Sequence, residues 1–124
     1  MIPDHRVLVI DDDEMFRLLI SRALVRAGYD TLAVSDGLAA LDAVESYQPD
    51  AIFLDMYLPM LDGWEFLRKY RERTDFPKPI IASSASNVDP DSLGDVIEFF
   101  QKPFDFKLFL KEFENLFPSA SGRV

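Results

Sequence analysis

The sequence predicts a doubly wound α/β domain, in which helices cover both faces of one parallel sheet. Two observations carry this prediction. Short β-branched or aromatic runs alternate with stretches of helical spacing along the 124 residues, and the first run, residues 7–10, is apolar at every position, as in a strand buried on both faces. The chain has no internal repeat or long linker, so we expect a single domain over residues 1–124, with an ordered core at about 6–117 and a tail at 118–124.

The first half of the chain supplies two helices and three strands. Apolar residues recur every three or four positions over residues 16–27, which predicts a helix, and Gly28 follows where helices commonly end. The next segments predict a weaker strand at 31–34, a helix at 38–47 and a buried strand at 51–54.

The second half continues the alternation. A helix is predicted at 64–73, where Pro77 and Pro79 prevent its continuation. Strands follow at 80–82 and 96–100, and a last helix begins near Asp105 and is closed by Pro118.

The composition limits the function. The 22 acidic and 13 basic residues give a net charge of −9, which disfavours direct binding to nucleic acid and suits a site whose carboxylates hold a cation. The absence of cysteine excludes disulfides and thiolate catalysis. The first apolar run is too short for a signal peptide or a membrane span, so we expect a cytoplasmic protein that does not bind a membrane.

Polar side chains follow four of the five predicted strands. They are the acidic run 11–13, Asp55, the serines 83–84 and Lys102. Because ligands of open parallel sheets bind beyond the carboxyl ends of the strands, we expect these groups to meet at one edge. Neighbouring carboxylates repel each other unless a cation joins them, and Mg²⁺ prefers such oxygen ligands. Asp55 could then act as a nucleophile toward phosphorus.

Four motifs, in this order and spacing, give the chain a specific resemblance to a known family. They are VLVIDDDE, LDMYLPMLDG around Asp55, serine then alanine at 84–85, and KPF at 102–104. Over nearly its whole length the chain resembles the response-regulator receiver domains of two-component signal transduction. The resemblance implies a flavodoxin-like five-stranded sheet in the order 2-1-3-4-5, as in chemotaxis receivers. It also implies a cytoplasmic switch that is activated by phosphorylation.

The resemblance also implies a magnesium site and an acceptor. Asp55 corresponds to the phosphoacceptor and to one metal ligand. Asp12 corresponds to the direct carboxylate ligand, and Asp11 to a carboxylate that reaches the ion through water. The backbone carbonyl of Tyr57 completes the protein ligands.

Further roles follow from the same motifs. Ser84 and Lys102 correspond to the hydroxyl and ammonium groups that bind the phosphoryl group, and the peptide bond after Lys102 is expected to be cis. Phe99 corresponds to the switch aromatic, whose ring changes rotamer together with Ser84. Tyr57 and Ser86 stand at the positions that modulate dephosphorylation, and we expect the bulky Tyr57 to slow it.

The chain departs from the family pattern between Ser84 and Lys102, where it is several residues shorter. The fourth helix of the family, here residues 89–95, is therefore expected to be short, shifted or partly unwound. Because that region normally forms the output face, the departure leaves the mode of onward signalling open.

The expected partners are a histidine kinase or phosphotransfer protein and a downstream protein or effector domain, with a homodimer as an open alternative. The domain would catalyse only its own phosphorylation and dephosphorylation. Two other functions stay open: a degenerate receiver that acts as a constitutive interaction module, and a magnesium-dependent phosphohydrolase, which would need an acid where Tyr57 stands. Asp12 or Asp13 could also serve merely as the N-cap of the first helix.

Overall fold

A computed structural model of the chain describes residues 5–118. Within these residues it has five strands, four α-helices and one 3-10 turn. They are β1 (Arg6–Ile10), α1 (Glu14–Arg26), β2 (Asp30–Val34), α2 (Gly37–Ser46), β3 (Ala51–Asp55), α3 (Gly63–Arg73), β4 (Ile80–Ser84), the 3-10 turn (Pro90–Ser92), β5 (Glu98–Gln101) and α4 (Phe106–Leu116). Apart from Pro118, the expected tail lies outside the described residues.

The five strands form one parallel sheet in the order β2-β1-β3-β4-β5. This confirms the predicted flavodoxin-like fold. The largest differences from the predicted strand boundaries, of two residues each, are that β4 continues through the polar residues Ser83 and Ser84 and that β5 begins only at Glu98. Ser83 pairs with Asp55 of β3, and Ser84 pairs with Gln101 of β5. The ladder is made by backbone groups, so polar side chains do not end it.

Alternate residues of the central strands feed two separate hydrophobic cores, as the two-residue period of a strand requires. Leu8 and Leu54 belong to the core that α2 and α3 cover. Val9 and Phe53 belong to the core on the opposite face, which α1 and the phenylalanines of α4 cover. The two cores fix the sheet between its helices and hold the carboxyl ends of β1 and β3 next to each other.

Each α-helix begins with an aspartate whose side chain accepts a backbone hydrogen bond from its first turn. Asp13 accepts from Phe16 N at 3.2 Å, which confirms its interpretation as a cap. Asp62 accepts from Glu65 N at 2.9 Å and starts α3. These caps begin the helices just after the strand ends.

The loop after Asp55 folds back tightly onto α3. Gly63 N donates to Met56 O at 2.8 Å, and a Cβ atom at Gly63 would lie 2.6 Å from the Cα of Met56. A side chain at residue 63 would therefore push the loop away from the end of β3.

The connection between β4 and β5 is the expected irregular region. It contains the 3-10 turn in place of an α-helix, and Gly94 adopts φ +67° shortly after it. Leu93, only 2% exposed, joins the core that α2 and α3 cover. Arg71 of α3 donates to Leu93 O at 3.2 Å. One leucine and one arginine thus anchor a segment too short for a regular helix.

No helix within residues 5–118 combines the length and the apolar character that crossing a bilayer demands.

We expect Leu93→Ala to lower the free energy of unfolding by about 2–4 kcal/mol, because a buried side chain is replaced by a cavity. Urea denaturation would measure the change. The matched control is Leu108→Ala on α4, where the leucine is 61% exposed, and its effect should stay within about 0.5 kcal/mol. Equal effects of the two substitutions would contradict the anchoring role of Leu93.

Candidate functional site

Three charged side chains meet at the carboxyl ends of the central and outer strands. Asp11 follows β1, Asp55 ends β3, and Lys102 follows β5. The Lys102 Nζ atom lies 2.8 Å from Asp11 Oδ2 and 3.3 Å from Asp55 Oδ2. The backbone N–H of Lys102 donates to Ser84 O at 2.8 Å, which ties this lysine to the end of β4.

Asp12 extends this group into an acidic cluster. Asp11, Asp12 and Asp55 can each offer a carboxylate oxygen such that the three atoms lie within 4.8 Å of one another. Asp11 and Asp55 are buried, whereas Asp12 is exposed. Asp11 Oδ2 is buried and forms an ion pair with Lys102 Nζ at 2.8 Å. Three carboxylates gathered around a single ammonium group suit a hard divalent cation.

Burial and charge set the electrostatics of the cluster. Burial of the carboxyl group, followed by repulsion from Asp11, raises the pKa of Asp55 to about 6, although Lys102 and the Tyr57 N–H oppose the rise. Burial works against the charge of Lys102, but the Asp11 and Asp55 carboxylates outweigh it and raise the lysine pKa. The lysine is therefore a permanent cation, while Asp55 binds its proton more tightly than a free carboxylate does.

Two hydrogen bonds stabilise the turn after β1 that contains Asp11 and Asp12. Asp11 Oδ1 accepts the Asp13 N–H at 2.9 Å, and Arg17 Nη1 donates to Asp11 O at 2.9 Å. Arg17 was not among the site residues predicted from the sequence. Its position in the second turn of α1, directly after the acidic run, is the signal that could have suggested it.

The predicted hydroxyl group lies in the strand next to Asp55. Ser84 is fully buried, and its Oγ accepts the backbone N–H of Ser86 at 2.9 Å. Its own proton has no acceptor among residues 5–118, so it is available to a ligand. Ser83, which pairs with Asp55, instead donates to Phe100 O at 2.8 Å. Of the two serines, Ser84 is thus the one with a free donor.

Tyr57 connects the cluster to the shortened β4–β5 connection. Its N–H donates to Asp55 Oδ1 at 3.2 Å, and its half-exposed ring meets the Trp64 ring edge-to-face at 5.2 Å. The Trp64 Nε1–H donates to Ser92 Oγ at 3.0 Å. This contact of Trp64 was not predicted, because the position of Trp64 within the α3 sequence does not indicate a partner in the 3-10 turn.

Phe99 lies three residues before Lys102 and pairs with Ala82 of β4. Its half-buried ring packs against the core that α2 and α3 cover. The peptide bond between Lys102 and Pro103 is cis, as the resemblance implies. The structure thus brings together Asp11, Asp12, Asp55 and Lys102, and Phe99 belongs to the adjoining core.

Comparison with known proteins points to one family. The profile of the response regulator receiver domain matches residues 7–114. The chain is 32% identical over 106 residues to the sporulation initiation phosphotransferase F of Bacillus subtilis (strain 168), a match that covers 82% of this chain and 85% of the relative. Other curated relatives are longer proteins, and the chain spans about half of their length.

Solved structures give the same result. The Francisella response regulator 1452 receiver domain superposes with a TM-score of 0.84 at 26% identity, covering 95% of this chain and 100% of that one. The receiver domain of the sensor histidine kinase PA1611 of Pseudomonas aeruginosa PAO1 superposes with a TM-score of 0.82 at 26% identity. That match covers 93% of this chain and 98% of the other, whose structure has a magnesium ion coordinated in the active site cleft.

We expect Asp55→Asn to stabilise the protein at pH 7 by about 3 kcal/mol in the presence of a chelator, because it removes a buried charge. The folded pKa of about 6 exceeds the unfolded value of about 4, so protonation favours folding. The wild-type protein should therefore lose stability as the pH rises from about 4 to 6.

Thermal unfolding of both proteins between pH 4 and 7 would measure the difference, which should vanish at the acidic end. Asp42→Asn, at an exposed position of α2, is the control. A pH-independent difference between Asp55→Asn and the wild type would contradict the raised pKa.

Proposed function

Because this chain belongs to the response regulator receiver domain family, we propose that it accepts a phosphoryl group on Asp55 and thereby switches its interactions with other proteins. The observation that carries the proposal is the buried Asp55 carboxylate, which lies beside Asp11 and Asp12 and 3.3 Å from the Lys102 ammonium group. The donor is a phosphohistidine of a histidine kinase or phosphotransfer protein, so the chain acts in a phosphorelay.

In the transfer step, a carboxylate oxygen of Asp55 attacks the phosphorus atom. The bond between phosphorus and the donor imidazole nitrogen breaks, the nitrogen keeps the electron pair, and an acyl phosphate forms on Asp55. A pKa of about 6 leaves most of the Asp55 carboxyl groups ionised near pH 7, as a nucleophile requires.

Two donors on this chain are suited to the phosphoryl oxygens. Lys102 already lies 3.3 Å from Asp55 Oδ2 and carries a permanent charge. Ser84 has a hydroxyl proton without an acceptor among the described residues. Charge-assisted hydrogen bonds from such groups stabilise the charge on a transferring phosphoryl group.

We further propose Mg²⁺ as the cofactor. Asp12, Asp55 and the carbonyl of Tyr57 would hold it directly and Asp11 through a water molecule. The clustering of the three carboxylates within 4.8 Å of one another supports this assignment. The magnesium site of the similar PA1611 receiver domain supports the choice of ion. When bound, the ion supplies positive charge to the phosphoryl oxygens.

The switch begins at Ser84. A hydroxyl group that turns toward the new phosphoryl group alters its bond from the Ser86 N–H, and with it the loop after β4. Phe99, in the neighbouring strand, is the aromatic ring that we expect to change rotamer. The altered surface selects a downstream protein or an effector domain, or a second copy of the chain.

Asp55→Asn should abolish phosphorylation. We expect the wild-type protein to gain the mass of one phosphoryl group upon incubation with acetyl phosphate and Mg²⁺, and the variant to gain none, because the attacking oxygen is lost. Intact-protein mass spectrometry would measure both. Asp13→Asn, which retains a capping side chain outside the acidic cluster, is the matched control and should be labelled like the wild type.

The same incubation separates the alternatives. Steady release of inorganic phosphate from many esters would instead indicate a phosphohydrolase, and neither labelling nor turnover would indicate a constitutive interaction module. Sizing with and without beryllofluoride tests for a homodimer that depends on the phosphorylated state.

Tyr57→Asn should speed the loss of the phosphoryl group by at least about threefold, which corresponds to roughly 0.6 kcal/mol of barrier. The reason is that the Tyr57 ring, held against Trp64, obstructs the approach of water to Asp55. The decay of the phosphorylated mass after removal of acetyl phosphate would give the rate. Tyr57→Phe retains the ring and should match the wild type, whereas an unchanged or slower decay in Tyr57→Asn would end the hypothesis. The same decay measurement on variants of Ser86 tests the second position that is expected to modulate dephosphorylation.

A further inference from the structure

Lys102 has an aromatic neighbour in addition to its two carboxylates. Its Nζ atom lies 4.3 Å from the centre of the Phe16 ring. The lysine side chain is only 11% exposed, so little water competes for the ammonium group. The electron-rich face of an aromatic ring attracts a cation, and the attraction is stronger where water is excluded.

The Phe16 ring is itself fixed in place. Its backbone N–H is bound by the Asp13 cap at the start of α1. Its ring packs edge-to-face against Phe104 at 5.4 Å and against Phe106 at 5.9 Å. Residues of α1 and of the segment after Lys102 thus build a rigid aromatic surface next to the ammonium group.

We propose that Phe16 is a positioning residue for Lys102, and that its ring holds the ammonium group where the phosphoryl group arrives. The inference rests on the proposed function of Asp55 and adds an electrostatic role to a side chain that would otherwise only fill space. An aliphatic side chain could fill the same volume, but it would not attract the cation.

The ring matters most when the charges around Lys102 change. Asp11 and Asp55 attract the ammonium group only while they are ionised and not neutralised by another ligand. The attraction of the Phe16 ring depends on neither condition, because the ring has no titratable group. Phe16 therefore limits the positions that Lys102 can reach throughout the transfer step.

The first test compares phosphorylation rates with acetyl phosphate and Mg²⁺ in the full chain. We expect Phe16→Leu to slow labelling of Asp55 by about threefold to tenfold. Phe100→Leu is the matched control, because the Phe100 ring packs in the same aromatic cluster, against Phe104 and Phe109, whereas the ring that Lys102 Nζ approaches is that of Phe16. Equal slowing in both variants would overturn the proposal, since it would indicate a packing effect alone.

A second test changes the ring electronically at nearly constant volume. Stepwise fluorination of Phe16 weakens the negative potential of its face, so the labelling rate should fall with each added fluorine. The side-chain methylene protons of Lys102 should show an upfield ring-current shift in NMR spectra that is lost in Phe16→Leu and kept in Phe100→Leu. A rate that does not respond to fluorination, or Lys102 resonances that do not shift, would overturn the proposal.

The two proposals can fail separately. If Asp55→Asn were labelled as readily as the wild type, the proposed function itself would fail. If labelling required Asp55 but the Phe16 and Phe100 variants behaved alike, only the role of Phe16 would be lost.

Discussion

The site depends on the burial of more negative than positive charge. Asp11 and Asp55 are almost completely removed from water, and the ammonium group of Lys102 is the positive charge in contact with both. Because burial of an uncompensated charge is costly, binding of a further cation at this edge of the sheet is favourable. Any change of charge on Asp55 is felt strongly by Lys102, since little water lies between them to screen it.

The sheet connects the charged groups of the site through the ends of its strands. The order β2-β1-β3-β4-β5 places the two buried acids at the ends of the neighbouring strands β1 and β3, the Ser84 hydroxyl at the end of β4 and the Lys102 ammonium group after the edge strand β5. Backbone hydrogen bonds from Met56 N to Ser83 O and from Lys102 N to Ser84 O join the ends of β3, β4 and β5. The positions of Asp55, Ser84 and Lys102 are therefore coupled by backbone hydrogen bonds between adjacent strand ends.

Much of the fold and most of the site could be predicted from the sequence, because both follow short-range rules. Hydrophobic periodicity gave the elements, and the rule that ligands bind at the carboxyl ends of parallel strands brought Asp11, Asp55 and Lys102 together. Periodicity does not specify which strands are neighbours, so the strand order required the family resemblance. The contacts of Phe16 and Trp64 could not be predicted, since they depend on how each helix is rotated against segments distant in the sequence. The extension of β4 was missed because the polarity of its last serines suggested a loop.

The hydrogen bond between Trp64 and Ser92 has a consequence for the fluorescence of the protein. Trp64 is the single tryptophan of the chain, and its indole joins the segment after Asp55 to the 3-10 turn between β4 and β5. Indole emission responds to hydrogen bonding and to nearby side chains, so the unlabelled protein carries a built-in fluorophore in the connection between β4 and β5. Rearrangements of that region can therefore be followed in real time without attaching a dye.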